Sequence, residues 1–340
     1  MTENAFISRV FPRPPLLDEP PKRRRIWILD VLIAYLLFTV ASIPISVITS
    51  PIISVYMIRN IDLNSFVFDF DRLDINSFVE FFKNVYTTVM TLLEQMPAWI
   101  SLISLFVFAF ITLTVIICRV KIEKGTFYSL GMKKNGLIKN YALGLFIGFV
   151  IFSAATGLGL LTGGLEFAGF SVSGVSDIIY IVLFFFGYIV QGMAEEVLCR
   201  GFLLTSITRR HSVLTATVIN SLFFALLHIV NPGISLLAFI NLFLFGVFAS
   251  LVMIKTDNIW MVSAIHAVWN FTQGNIFGVR VSGSAYAPSV MRIVSTGSRF
   301  INGGNFGMEG GICVTAVLLI GIVIFAVIKP MNKAAEKVDV

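Results

Sequence analysis

The chain reads as long apolar runs separated by short polar punctuation. A helix that crosses the hydrocarbon core of a bilayer needs roughly 20 mostly apolar residues. About eight runs approach that length on hydrophobic patterning, at 27–57, 98–118, 139–162, 177–206, 212–230, 234–254, 258–277 and 311–328. The first contains Pro44 and Pro51, so a kink or break is expected there. Between the first two runs, the segment 59–97 is aromatic and amphipathic (FVFDFDRLDINSFVEFFKNVY) and reads as a helix lying on the membrane surface. The pattern predicts an all-α, polytopic membrane protein of about eight transmembrane helices.

Composition sharpens the class. Of 340 residues, 57% are hydrophobic and only 13% are charged, against about 25% charged in soluble domains. The bilayer is therefore the first expected partner. The net charge of +6 is no nucleic-acid footprint, because the basic residues stand in short clusters between apolar runs. No nucleic-acid partner is expected. The three cysteines, Cys118, Cys199 and Cys313, lie in or beside apolar runs without a CxxC pattern, which argues against disulfides and cysteine-held zinc.

Charge also sets orientation. Lys22 to Arg25, the cluster from Arg119 to Lys139, Arg209 and Arg210, Lys255, and Lys329, Lys333 and Lys337 fall on one side if the helices alternate. By the positive-inside rule that side is the cytoplasm. Asp62, Asp69, Asp71, Asp74 and Glu80 follow the first run on the other side, while Arg280, Arg292 and Arg299 dissent. The expected layout is a multi-pass protein of the cell membrane with both termini cytoplasmic. It has a tail without a fold of its own at 1–26, membrane helices with an outer amphipathic loop at 27–174, a core at 175–277, an outer loop at 278–310, and a last helix with a cytoplasmic tail at 311–340.

A few polar residues lie well inside the runs. A charge at the bilayer centre costs roughly 2.5–3.5 kcal/mol on insertion scales, so such residues face the bundle interior and are functional candidates. Glu195, Glu196 and Arg200 lie in QGMAEEVLCRGFLL, Phe224 and His228 in SLFFALLHIVNPG, and His266 and Asn270 in VSAIHAVWNFTQ. Glu196 and Arg200, four apart, share a helix face and can pair. Glu195 is turned by about 100° from Glu196 and is free to point elsewhere. Counted at 1.5 Å per residue from the basic turns, Glu195, His228, His266 and Asn270 lie roughly 16–25 Å deep. One buried polar site can collect them. Phe224, in a chain with 33 phenylalanines, reads as packing.

This set suits water activation. Glu195 would take a proton from water, His228 would orient that water or bind a metal, and His266 with Asn270 would stabilise an oxyanion. Alternatively, Glu195, His228 and His266 would hold a catalytic zinc with an open position. The motifs EExxxR, FxxxH and HxxxN, in this order over roughly 175–277, resemble those of the CPBP, or Abi, family of intramembrane proteases and the membrane core of type II CAAX prenyl endopeptidases. The resemblance implies an eight-helix-class intramembrane endopeptidase acting on membrane-associated peptides or proteins, in settings such as bacteriocin self-immunity or peptide processing. It implies Glu195, Glu196, Arg200, His228, His266 and Asn270 as catalytic-site residues. It leaves a divalent metal and a metal-free glutamate mechanism both open.

Two other classes compete. Intramembrane Glu and His chains also relay protons in carriers, although no inverted repeat is visible. A non-catalytic immunity or scaffold protein would keep the fold without needing the full motif set. There is no HExxH and no GxGD in an apolar helix, and Ser173, Ser282 and Ser284 fall in expected outer loops.

Overall fold

The computed structural model describes residues 5–17, 26–62, 74–285 and 288–331. Lys22 to Arg25, Asp69, Asp71, Lys333 and Lys337, used above for orientation, lie outside the described residues. Helices dominate in chain order: α1 Ala5–Val10, α2 Trp27–Asn60, α3 Ile75–Glu94, α4 Ala98–Phe106, α5 Ala109–Ile117, α6 Leu137–Leu161, α7 Val175–Glu196, α8 Thr205–Thr208, α9 Val213–Leu227, α10 Leu236–Thr256, α11 Trp260–Phe271, α12 Arg299–Asn302 and α13 Ile312–Val327. A π-helical stretch, Val197–Leu204, joins α7 to α8 without a break. One antiparallel pair, β1 Leu165–Phe170 and β2 Met291–Ser295, is the sole sheet among the described residues.

The fold is an all-α polytopic membrane protein. Among the described residues, five helices are long and apolar enough to cross a membrane: Trp27–Asn60, Ala98–Ile122, Leu137–Leu161, Val175–Thr208 and Leu236–Thr256. The remaining three expected spans form shorter helices. α9 stops before the Asn231-Pro232-Gly233 turn, where the residue before proline avoids the helical region and Gly233 takes φ +76°. The first run is one 34-residue helix that passes through both Pro44 and Pro51. α3 confirms the helix within 59–97. Asp74 caps it by accepting from the Ser77 N–H at 2.7 Å, and Ile75, Phe78, Val79, Phe82 and Tyr86 form an exposed apolar stripe.

Buried polar contacts hold three parts of the chain near the helix ends. The N-terminal tail packs against the bundle over its described part. Leu16 is buried and its N–H donates to Asp257 Oδ1 at 3.1 Å, while Asp257 also pairs with Lys133. Lys255 is no loop charge. It is buried and donates to the carbonyls of Arg9, Ala326 and Ile328 at 3.0, 3.3 and 2.9 Å, so one ammonium ties α1 to the end of α13. Arg119 is likewise buried, donating to Thr205 Oγ1 and Ser206 Oγ and pairing with Glu123. For Lys255 and Arg119, a basic side chain near a helix end satisfies orphan carbonyls or hydroxyls instead of facing water.

Close helix approach positions the site. α6 packs along α11 through Gly144 and Gly148. A Cβ at Gly144 would stand 2.4 Å from the Met261 carbonyl oxygen, and one at Gly148 only 2.6 Å from that of Ile265. In lipid, where apolar burial gives no drive between helices, such small-residue notches supply the packing. Gly192 brings α7 to α11 in the same way, its Cβ position lying 2.9 Å from the Ala267 nitrogen. We expect Gly148→Leu to cost about 1–3 kcal/mol through overpacking. A lowered thermal midpoint in detergent, with loss of turnover as α11 shifts, is the readout. An unchanged midpoint would show that the helices separate freely.

Candidate active site

Four helical segments converge on one buried cluster. α7 delivers Glu195 and Glu196, its π-helical continuation Arg200, the end of α9 His228, and α11 His266 and Asn270. Glu196 and Arg200 are both fully buried and pair at 3.0 Å. Arg200 also donates to the Gly246 carbonyl at 3.3 Å, and its guanidinium lies 4.7 Å from the centre of the Phe224 ring. The same Glu196 Oε1 accepts from His266 Nδ1 at 2.8 Å. The expected clamp is therefore present and has a further arm, since Glu196 joins Arg200 of one helix to His266 of another.

His228 departs from expectation. It lies not inside a membrane helix but at the C-cap of α9, because the proline turn ends that helix. Its Nδ1 lies 2.9 Å from the Phe224 carbonyl oxygen. A carbonyl and a carboxylate only accept, so Nδ1 carries the donated hydrogen in both His228 and His266. Each imidazole then turns Nε2 to Glu195, at 3.8 Å from His228 and 3.7 Å from His266 to the same Oε2. Among the described residues that oxygen has no hydrogen-bond partner. Phe224 packs as expected, but around the site: its ring centre is 4.7 Å from that of His228 and 5.9 Å from that of His266.

These groups line a cavity of about 370 Å³, together with Gln191, Phe245, Trp269 and Asn270. Val281, Ser282, Ser284 and Glu309, from the segment after α11, line it as well. Glu309 accepts from Trp269 Nε1 at 3.2 Å and from the Ser282 N–H and hydroxyl at 2.7 Å each. Sequence reading passed over Glu309 because it stands in an expected outer loop. Gln191 was passed over because it is uncharged, although it stands four residues before Glu195 on the same face and donates to Glu195 Oε1 at 2.7 Å. That spacing was the available signal.

The donors a zinc site would use are Glu195, His228 and His266. Tetrahedral zinc, about 2.0–2.1 Å from nitrogen and oxygen ligands, brings them about 3.3–3.4 Å from one another. The separations of 3.7 and 3.8 Å are wider. Among the described residues no group of three histidine, cysteine or carboxylate side chains is disposed to hold a metal ion. The set suits a metal in kind but not in spacing. As it stands, it is a carboxylate oxygen and two imidazole nitrogens facing one small volume, with room for an oxygen-sized reactant.

No curated protein and no solved structure matches the chain. A family model does, and it spans the segment that carries all three motifs. Residues 177–272 match the model of the Rce1-like family (type II CAAX prenyl endopeptidase Rce1-like), so this part of the chain is similar to the family that the motifs resemble.

Proposed function

We propose that the protein is an intramembrane endopeptidase that hydrolyses peptide bonds of membrane-associated peptides or proteins with water activated by Glu195. The observation that carries this reading is Glu195 Oε2, without a hydrogen bond among the described residues and faced by Nε2 of both His228 and His266 at the wall of the cavity. A water between Glu195 and His228 donates one hydrogen to Oε2 and the other to the His228 nitrogen. Its lone pair is then directed at the substrate carbonyl.

Attack forms the new C–O bond and moves the carbonyl π electrons onto oxygen. The carboxylate of Glu195 takes the water's proton. His266, whose Nδ1–H is held by Glu196, offers Nε2–H to the developing oxyanion when it is an imidazolium. Asn270 stands one turn further along the same helix, and its amide carries a second N–H for the same charge. Collapse breaks the C–N bond, and Glu195 returns its proton to the leaving amine. Glu196 and Arg200 act as a clamp that holds the His266 ring. The chain would work in the cell membrane with both termini cytoplasmic, in bacteriocin self-immunity or in processing of membrane peptides. Residues 175–277 would form its catalytic core, under the segment 278–310.

The test uses purified protein in lipid vesicles and a library of amphipathic peptides, in water enriched in oxygen-18. We expect new peptide termini with the label in the new carboxyl group. His228→Ala should slow their formation by about 10²–10⁴-fold. If the vesicles instead conduct protons in a Glu196-dependent way and no peptide is cut, the protein is a carrier and this reading fails.

A further inference from the structure

Glu195, like Asn270, hydrogen-bonds to a side chain that no motif contains. Gln191 lies one helical turn before it, lines the same cavity and donates Nε2–H to Glu195 Oε1 at 2.7 Å. On its other side, Gln191 Oε1 accepts from Asn270 Nδ2 at 2.9 Å. The direction of this chain is set by chemistry. An ionised carboxylate only accepts, so the nitrogen of Gln191 must face Glu195. Its oxygen must then face Asn270, whose amide nitrogen must donate.

We propose that Gln191 is a positioning residue for the reaction, and that Asn270 acts in part through it. The relay Asn270 to Gln191 to Glu195 occupies Oε1 and leaves Oε2 as the single basic oxygen, turned to His228 and His266. This rests on the reading of Glu195 as the water-activating group. The relay also crosses an interface, since Gln191 and Glu195 belong to α7 and Asn270 to α11. Gly192, the residue after Gln191, is the notch that lets these two helices meet. Backbone contact and side-chain relay thus sit at one level. The carboxylate is aimed by the helix that also carries His266, so base and histidine move together.

The alternative is that Gln191 only fills space or helps the helices adhere. Three variants separate the two. Gln191→Leu keeps the shape and removes both hydrogen bonds. Gln191→Glu keeps the shape and, when ionised, cannot donate to Glu195. Asn270→Asp reverses the donor, which turns the Gln191 amide so that its oxygen opposes Glu195. We expect each to lower kcat by about 10- to 100-fold, the effect of a misplaced reacting group, with KM and thermal midpoint little changed. The double variant Gln191→Leu/Asn270→Ala should be close to as slow as its slower parent, because both break one relay. Independent contributions would multiply instead.

Infrared difference spectra give a readout that does not need turnover. The carboxylate band lost in Glu195→Gln should shift in Gln191→Leu and in Asn270→Ala. Multiplicative kcat effects, or a Glu195 band indifferent to both substitutions, would overturn the relay. A wild-type protein that cuts nothing, yet shows the band shifts, would overturn the peptidase reading and leave the relay standing.

Discussion

Glu195→Gln is expected to leave a folded, membrane-inserted protein that cleaves its substrate about 10²–10⁴-fold more slowly than the wild type. Its stability should survive because of what Glu195 does not hold. Among the described residues its side chain accepts a hydrogen bond from Gln191 alone, and an amide oxygen at the same place accepts that bond as well. The buried guanidinium of Arg200 does not depend on Glu195, since it is held by Glu196. The loss falls on proton transfer, because an amide cannot take a proton from water at neutral pH. The measurement is turnover of a labelled membrane peptide, beside a thermal melt in the same detergent. Wild-type turnover by this variant would remove Glu195 from the mechanism.

The second large effect is on stability and comes from the adjacent residue. Arg200→Leu leaves Glu196 charged and fully buried, without its guanidinium partner. Removing one member of a buried pair costs about 3–5 kcal/mol, most of it from the stranded charge. The thermal midpoint should fall sharply, and the yield of membrane-inserted protein with it. The double variant Glu196→Gln/Arg200→Leu should recover much of the loss, because neither charge is then buried alone. It should remain slow as an enzyme, because His266 keeps no anionic partner at Nδ1. A double variant no more stable than Arg200→Leu would mean that packing of the arginine stem, and not charge, decides. Two neighbouring glutamates in one helix thus have opposite signatures: one is needed for rate and not for folding, the other for folding first.

Much of this was legible from the chain. Charged and imidazole side chains are so costly in lipid that Glu195, Glu196, Arg200, His228 and His266 stood out by position alone, and the i, i+4 spacing of Glu196 and Arg200 foretold their pair. Helix lengths were harder to read. Apolar composition continues through the end of α9, and the backbone effect of the proline turn decides where the helix stops and puts His228 at a cap. Gln191 carries no charge and so gave no insertion penalty to notice. Glu309 sits in a stretch that is polar enough to read as an exposed loop, yet pairing β2 with β1 and the bonds to Trp269 and Ser282 fold it against the cavity. The notches at Gly144, Gly148 and Gly192 are visible as small residues, but which helix enters them depends on tertiary packing.

The π-helical stretch Val197–Leu204 directly after the two glutamates makes the site sensitive to counting as well as to identity. Its backbone bonds skip one residue more than those of an α-helix. Insertion of any single residue there, with no further widened turn to absorb it, would rotate everything upstream by about 100° against everything downstream. The downstream half is not free to share that rotation, because Arg119 grips the Phe202 carbonyl, Thr205 and Ser206. Glu195 and Glu196 would both leave their stations with no change in their own chemistry. A one-residue frame, kept by eight residues of widened helix, is thus part of what selection must preserve in this protein.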